Sequence, residues 1–119
     1  MRITKLSDPY AINGTSFHNG IVRSSVHEIE RVLGIEADRV FDEKVSYEFD
    51  LEVNGIPFTI YDWKEWSVSY DGLIDFHIGS HTIEGTREAV KALKGAGLNA
   101  MAPEEIEEEY KKNFGWLFK

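Results

Sequence analysis

The stretch "VSYEFDLEVNGIPFTIYDW", residues 45–63, decides the fold. From Val45 to Val53 apolar and polar residues alternate, which is the period of two expected of a half-buried strand. Asn54-Gly55 is the preferred pair for a two-residue type I′ turn, because both positions need a positive φ. The stretch therefore predicts an antiparallel hairpin with a fixed register. The expected pairs are Val53 with Ile56, Leu51 with Phe58, Phe49 with Ile60, and Tyr47 with Asp62.

Three further strands are predicted around this hairpin. "MRITKL" at residues 1–6 is compatible with a short first strand. "TSFHNGIV" at residues 15–22 is rich in β-branched and aromatic residues, with an interruption at Asn19-Gly20. "DGLIDFHIGS" at residues 71–80 predicts a turn and a strand that carries Phe76 on one face and His77 on the other.

Three helices are predicted from their end signals. "SSVHEIERVLG" has Ser25 as its N-cap and Gly34 as its left-handed end. "HTIEGTREAVKALKG" is expected to be capped by Thr82 and to end at Gly95. "APEEIEEEYKKNF" places Pro103 at the first helical position. The apolar end "FGWLFK" extends this last element, and we expect residues 103–119 to dock on the domain or on a second subunit.

The order of elements predicts a single α+β domain over residues 1–119, with a mostly antiparallel sheet and helices packed on one face. The chain contains no cysteine, so disulfide and thiolate chemistry are excluded. A formal net charge of −8 argues against direct binding to nucleic acid, which needs a basic surface. No apolar run approaches the ~20 residues of a membrane span, so no membrane association and a cytoplasmic location are expected.

Asp62 is the first candidate for function, because it lies on the apolar face of the hairpin. A buried carboxylate without partners is costly, so it must lie at a wet rim or accept hydrogen bonds. One interpretation is that loop or helix amides bind it and the strand ends there. The other is that it orients a ligand hydroxyl or a catalytic histidine.

A second group is predicted on the far side of the sheet, where Tyr61 and Trp63 would lie near Asp75 and His77. Aromatic faces beside an acid and a histidine suit a planar ligand, which stacking binds and polar groups orient. The same residues are also compatible with a second apolar layer or a dimer interface.

The third candidate is "HIGSH", residues 77–81, where Gly79 and Ser80 lead into a helix start that attracts anions such as phosphate. His77 and His81 are too few ligands for a zinc site, so no metal is expected. Walker and dinucleotide-binding fingerprints are absent, and no cofactor is expected. General acid–base catalysis by His77 with Asp62 or Asp75 is compatible with composition alone.

Three blocks together, "GTSFHNGIV", "FTIYDWKEW" and "DFHIGS", resemble a family of small, largely uncharacterised bacteriophage proteins with GTSF, YDWK and HIGG-type blocks. The resemblance spans roughly residues 13–94. Phe76 replaces the usual tryptophan, Ser80 replaces the second glycine, and Asn19 is inserted before Gly20. The resemblance implies a phage protein in a bacterial host cell and no particular mechanism.

The leading expectation is a non-catalytic anti-defence protein that sequesters a small nucleotide-derived immune signal, completed as a homo-oligomer. Phe17, Tyr61 and Trp63 would stack on a base, and Lys64, Gly79 and Ser80 would bind phosphate. Asp62, His77 or Asp75 would supply the polar contacts. One alternative is an acidic inhibitor whose helix, Glu104 to Glu109, mimics nucleic acid and covers a host defence protein. The other is a small hydrolase that uses His77 and Asp62.

Overall fold

The computed structural model describes residues 2–65 and 68–114. Its strands are β1 (Ile3–Lys5), β2 (Ser16–Ser24), β3 (Asp38–Arg39), β4 (Tyr47–Val53), β5 (Ile56–Tyr61), β6 (Ile74–Ser80) and β7 (Ala100–Met101). Its α-helices are α1 (Val26–Leu33), α2 (Ile83–Ala96) and α3 (Pro103–Phe114), and a short 3₁₀ helix spans Pro9–Ile12. None of the helices in the described ranges is long and apolar enough to span a membrane.

The predicted hairpin forms β4 and β5 in the predicted register. Val53 pairs with Ile56, Leu51 with Phe58, and Phe49 with Ile60. The turn residues have positive φ, 51° at Asn54 and 77° at Gly55, as a type I′ turn requires. The two-residue loop therefore sets which side chains of β4 and β5 enter the core.

The hairpin lies inside a single antiparallel sheet with the strand order β1-β4-β5-β6-β2-β7, and β3 pairs with β4. The two-residue strands β3 and β7 and the 3₁₀ helix were not predicted, since segments this short carry little periodicity. The predicted class, one α+β domain with helices packed on an antiparallel sheet, is confirmed.

The core lies between the sheet and helices α1 and α2. Alternate residues of the central strands are buried on this face, and α2 adds Ala89, Val90 and Leu93. Burying each large side chain contributes roughly 1.5–3 kcal/mol, so this layer supplies most of the driving force for folding. The fully buried apolar side chains of the strands are Val22, Phe49, Leu51, Val53, Phe58, Ile60, Phe76 and Ile78.

The helix ends follow their sequence signals with one exception. The side chain of Ser25 accepts a hydrogen bond from the Glu28 amide, and Gly34 ends α1 with φ 68°. Thr82 caps α2 by accepting from the Gly85 amide. The prediction that α2 ends at Gly95 is wrong, because the helix continues to Ala96 and Gly97, with φ 102°, supplies the left-handed end.

Helix α3 is attached to the domain by ion pairs as well as by apolar contact. Glu104 pairs with Arg87 and Glu105 pairs with Lys94, both on α2. Glu109 pairs with Arg23 on β2. These ion pairs connect α3 to α2 and β2, while residues 115–119 lie outside the described part of the chain, so docking of residues 103–119 stays a prediction.

Candidate ligand-binding site

The candidate site lies on the far face of the sheet, which we define as the face opposite α2. Strand register places a row of side chains across this face: Glu48 is opposite Tyr61, Tyr61 is opposite His77, and His77 is opposite Ile21. Ile21 is in turn opposite Met101. Residues opposite one another point to the same face, so an acid, an aromatic ring, an imidazole and apolar groups adjoin in this order.

Four rings on this face form a cluster that we call the aromatic cluster: Phe17, Tyr61, Trp63 and His77. Phe17 and His77 stack with their centroids 3.8 Å apart and their planes 12° apart. Trp63 lies 6.2 Å from His77 at an interplanar angle of 24°. Tyr61 meets His77 edge-on at 5.5 Å and 69°. The structure thus brings Tyr61, Trp63 and His77 of the predicted group together with Phe17; Phe17 and Trp63 stack with the imidazole, and Tyr61 meets it edge-on.

An irregularity in β2 positions Phe17 in this cluster. Phe17 is opposite Gly79 and Gly20 is opposite Ile78, so β2 contains two extra residues between these pairs. One of them, Asn19, has a φ of 66°. Such a bulge re-aims the side chains beside it and is common next to binding sites. The bulge at His18 and Asn19 therefore lies directly beside the Phe17–His77 stack.

Gly79 makes room for the cluster. A Cβ atom at this position would lie 2.6 Å from the Thr59 hydroxyl and 3.3 Å from the Tyr61 ring. The Tyr61 ring therefore packs directly over the backbone of β6, and no other residue type fits beneath it without displacement.

A groove of about 580 Å³ opens between the far face and α3. This volume is within the usual range for small-molecule sites. Its lining is apolar and aromatic, with two carboxylates and no lysine or arginine among the described residues. The lining residues are Phe17, Asn19, Ile21, Asp75, His77, Pro103, Ile106, Glu107 and Tyr110.

The two carboxylates of the groove differ in their partners. Asp75 binds the Arg23 guanidinium, with Nε 2.8 Å from Oδ1 and a second nitrogen 3.4 Å from Oδ2. Glu107 pairs through one oxygen with Lys111, at 3.2 Å on the exposed side of α3. An exposed pair of this kind contributes little and exchanges easily for another donor. Glu107 is therefore the groove carboxylate best suited to bind a ligand donor.

Two lysines lie on the Trp63 side of the aromatic cluster. The ammonium groups of Lys44 and Lys64 are 5.6 Å and 5.7 Å from the indole centroid, which is cation–π distance. The Lys64 amide also donates to the Lys44 carbonyl at 2.8 Å, which holds the two residues together. Neither lysine forms an ion pair within residues 2–65 and 68–114. This side is therefore the anion-attracting end of the site.

Burial sets the protonation of the cluster. It lowers the pKa of His77 below the ordinary 6.5, while the neighbouring Asp75 carboxylate partly opposes this change. The imidazole is consequently neutral at neutral pH and carries one donor and one acceptor nitrogen. Burial, assisted by Glu48, also raises the pKa of the Tyr61 hydroxyl above 10.0, so Tyr61 stays protonated.

Asp62 has a structural role, which was one of the two interpretations of the sequence. Its side chain is fully buried. The carboxylate accepts from the Ser46 amide at 3.0 Å and from the Tyr47 amide at 2.7 Å. These bonds fasten the end of β5 to the start of β4 and compensate for desolvation of the charge. The predicted contact of Asp62 with a ligand or with His77 is therefore not formed.

The predicted phosphate site at Gly79 and Ser80 is closed by the protein itself. Ser80 is fully buried, and its hydroxyl donates to the Thr82 carbonyl at 2.6 Å and bonds the Thr86 hydroxyl at 2.7 Å. Gly79 lies beneath the Tyr61 ring. The histidines of the same motif also separate, because His81 bonds the Ala11 carbonyl at 2.7 Å.

Several groove residues were missed by sequence reasoning. Nothing in the spacing of Ile106 and Tyr110 on α3 indicated that they line one groove with His77. Glu107 was assigned to an acidic surface, and Lys44 was not singled out. Their proximity arises from the docking of α3 beside β2 and from the β3–β4 connection, both of which are long-range features.

Among the described residues no group of three or more histidine, aspartate or glutamate side chains is arranged to hold a metal ion. Comparison of the chain with protein-family models, with curated protein sequences and with solved structures finds no match. Inference about function therefore depends on the geometry of the aromatic cluster and the groove.

Proposed function

We propose that this protein is a non-catalytic binder of a planar, nucleotide-derived small molecule and that it acts by sequestering that molecule. The observation that carries the proposal is the groove beside the stacked pair of Phe17 and His77. One face of the Phe17 ring rests on the imidazole at 3.8 Å, and Phe17 also lines the groove. A planar ligand in the groove would stack on a ring whose position is already fixed.

The opposite wall of the groove comes from α3, which contributes Ile106 and Tyr110. A base inserted between Phe17 and this wall would be held on both faces. Stacking of a base on an aromatic side chain is worth ~1–3 kcal/mol. Because the first wall is preorganised, less of this energy is lost to ordering side chains on binding.

The lysine pair supports a phosphorylated ligand. Lys44 and Lys64 flank Trp63, and Trp63 lies 6.2 Å from His77, so cationic groups adjoin the aromatic cluster opposite to the acidic groove. A nucleotide has the matching polarity, with a planar neutral base at one end and an anionic phosphate at the other. In the phage setting that the resemblance implies, such a ligand would be a host immune signal.

The acidic-inhibitor alternative has weaker support. Of the five glutamates between Glu104 and Glu109, four are engaged by basic residues of the same chain. A surface that imitates nucleic acid must present unneutralised, accessible charge to its target. The glutamates of α3 instead serve mainly to attach the helix to α2 and β2.

The hydrolase alternative requires Asp62 to orient or activate His77. The Asp62 carboxylate is fully buried and binds the amides of Ser46 and Tyr47. Asp75 is the carboxylate that shares β6 and the groove lining with His77, and Arg23 binds both of its oxygens. The geometry accordingly favours binding over general acid–base catalysis.

The test is native mass spectrometry of the purified protein with a panel of purine and pyrimidine mononucleotides, cyclic nucleotides and ADP-ribose. We expect a stoichiometric adduct whose ligand mass is unchanged after prolonged incubation. Phe17→Ala should abolish the adduct. Phe41→Ala is the matched control, because Phe41 is also an exposed phenylalanine but lies by β3, away from the groove.

Three outcomes decide the proposal. An intact adduct that is lost in Phe17→Ala and kept in Phe41→Ala supports sequestration at the groove. A ligand released with altered mass overturns the non-catalytic assignment. The absence of any adduct across the panel overturns nucleotide binding itself.

A further inference from the structure

We infer that the ligand carries a guanine-type base, recognised through its paired N–H donors by the Glu107 carboxylate. The inference builds on the proposed nucleotide binding and assigns a base and a specificity residue to the same groove. It follows from the charged side chains of the groove lining, which are both carboxylates.

The charged side chains that line the groove are both carboxylates, while Asn19, His77 and Tyr110 add neutral polar groups. Asp75 and Glu107 are its two ionisable acids, and no cationic side chain lines it among the described residues. An ionised carboxylate accepts hydrogen bonds and donates none. A base edge that presents acceptors toward these groups would be repelled, whereas an edge that presents donors would be bound.

The two acids are not equally available. Asp75 already forms a two-point contact with the Arg23 guanidinium, and this arrangement fixes its oxygens. Glu107 shares one oxygen with Lys111 at 3.2 Å, and the two side chains are 67% and 65% exposed. Glu107 can therefore turn both oxygens to a ligand at small cost.

Guanine matches this acceptor pair better than the other common bases. Its N1–H and its 2-amino group are adjacent donors on one edge, so they meet the two oxygens of a carboxylate in a two-point contact. Adenine and cytosine each present an amino group next to a ring acceptor, and that acceptor would face a carboxylate oxygen. Hypoxanthine keeps N1–H but lacks the amino group, so it loses one of the two bonds.

The aromatic lining fits the same ligand. A purine placed against Phe17 would direct one edge toward α3, from which Glu107 lines the groove together with Ile106 and Tyr110. The opposite end of the nucleotide would extend toward the lysines at Trp63. Base recognition and phosphate attraction would then occupy opposite ends of one continuous site.

The experiment is isothermal titration of the full chain with guanosine, inosine and adenosine 5′-monophosphates. We expect guanosine monophosphate to bind about tenfold more tightly than inosine monophosphate, as is typical when one of two paired hydrogen bonds is lost. Glu107→Gln should bring the two affinities within about threefold, because its amide places a donor against one base donor. Glu108→Gln is the control, since it makes the same charge change on the same helix outside the groove lining.

The outcomes separate this inference from the function it builds on. A guanine preference lost in Glu107→Gln and kept in Glu108→Gln supports recognition by Glu107. Similar affinities for all three nucleotides, or a guanine preference that survives Glu107→Gln, overturn the inference while nucleotide binding stands. No binding of any mononucleotide, together with no adduct in the wider panel, overturns both.

Discussion

The phenyl ring of Phe17 and the imidazole of His77 stack with their centroids 3.8 Å apart and their planes inclined by 12°. The two residues come from neighbouring strands, and the bulge in β2 allows the contact. The stack shields the imidazole from water, which lowers the pKa of His77. The Phe17–His77 stack therefore keeps the imidazole neutral and fixes the position of the Phe17 ring.

The pH dependence of stability should reveal this shielding. A histidine whose folded pKa lies below its unfolded value stabilises the fold fully above about 6.5, and this contribution is lost as pH falls through the lower folded pKa. His77→Phe keeps an aromatic ring at the position and removes the titration. We expect the wild type to lose about 2–4 °C of Tm relative to this variant between pH 7.5 and pH 5. Parallel Tm profiles for the two proteins would show that His77 is not shielded in solution.

Removal of the Asp62 carboxylate should unfold the end of the hairpin and leave the ligand site chemically intact. Asp62→Ala leaves the buried amides of Ser46 and Tyr47 without their acceptor, which we expect to cost about 2–4 kcal/mol in the free energy of unfolding. Urea denaturation measures this loss, and Asp71→Asn is an exposed control expected to change it by less than about 1 kcal/mol. Loss of ligand binding with unchanged stability would instead assign Asp62 to the ligand.

Two glycine substitutions should have opposite effects. A Cβ at Gly79 would lie 2.6 Å from the Thr59 hydroxyl, so Gly79→Ala should displace the Tyr61 ring and cost about 1–3 kcal/mol. A Cβ at Gly95 within α2 would meet nothing within 4 Å, so Gly95→Ala should stabilise by about 0.5–1 kcal/mol through helix propensity. Thermal unfolding of both variants gives the comparison. Equal Tm values for Gly79→Ala and the wild type would contradict the packing of Tyr61 over β6.

The sequence predicts the elements with strong local signals. The alternation in β4, the turn at Asn54 and Gly55, and the caps at Ser25 and Thr82 each depend on residues close together in the chain. The side of the sheet that carries Tyr61 and His77 also follows from the period of two. These features are local, so a single sequence is sufficient to predict them.

The remainder of the site depends on distant contacts. The proximity of α3 to His77 requires the docking of a helix more than twenty residues away, and the ion pairs Arg23–Glu109 and Lys94–Glu105 that hold it have no periodic signature. The sequence left two roles open for Asp62 for the same reason, because its partners are set by contacts between residues that are distant in the chain. Its partner amides at Ser46 and Tyr47 become identifiable only after the ends of both strands are placed.

A partly buried acid on the far face should make stability fall as pH rises from about 4.5 to about 8. Burial raises the pKa of Glu48 to about 8, assisted by a hydrogen bond with Asp50 and by the charges of Asp50, Asp38 and Asp42. The contribution of this group to stability is full below about 4.5, the unfolded pKa, and is lost as pH rises from there through about 8. Glu48→Gln should therefore leave Tm nearly unchanged at pH 4.5 and raise stability at pH 8.5. Because Glu48 is only partly buried, we expect a gain on the order of 1–2 kcal/mol after screening.

Thermal unfolding at the two pH values tests the role of Glu48. Glu43→Gln is the control, because Glu43 is an exposed glutamate on the β3–β4 connection. Its Tm should differ from that of the wild type by a similar amount at both pH values. A variant with the same alkaline decline as the wild type would show that another group is responsible.

The lysine pair should contribute to the affinity for a phosphorylated ligand and leave its base specificity unchanged. Lys44 and Lys64 lie 5.6 Å and 5.7 Å from the Trp63 centroid and are the cations beside the aromatic cluster. Each exposed lysine that attracts a phosphate is expected to contribute about three- to tenfold in affinity, and the effect is screened by salt. Lys64→Gln should therefore weaken the binding of guanosine monophosphate and leave the binding of guanosine unchanged.

Titrations at 50 and 300 mM salt test this role. The affinity for the nucleotide should fall at the higher salt concentration, and the affinity for the nucleoside should not. Lys91→Gln, at an exposed position of α2, is the control. Equal binding of nucleoside and nucleotide by the wild type would show that phosphate does not reach the lysines.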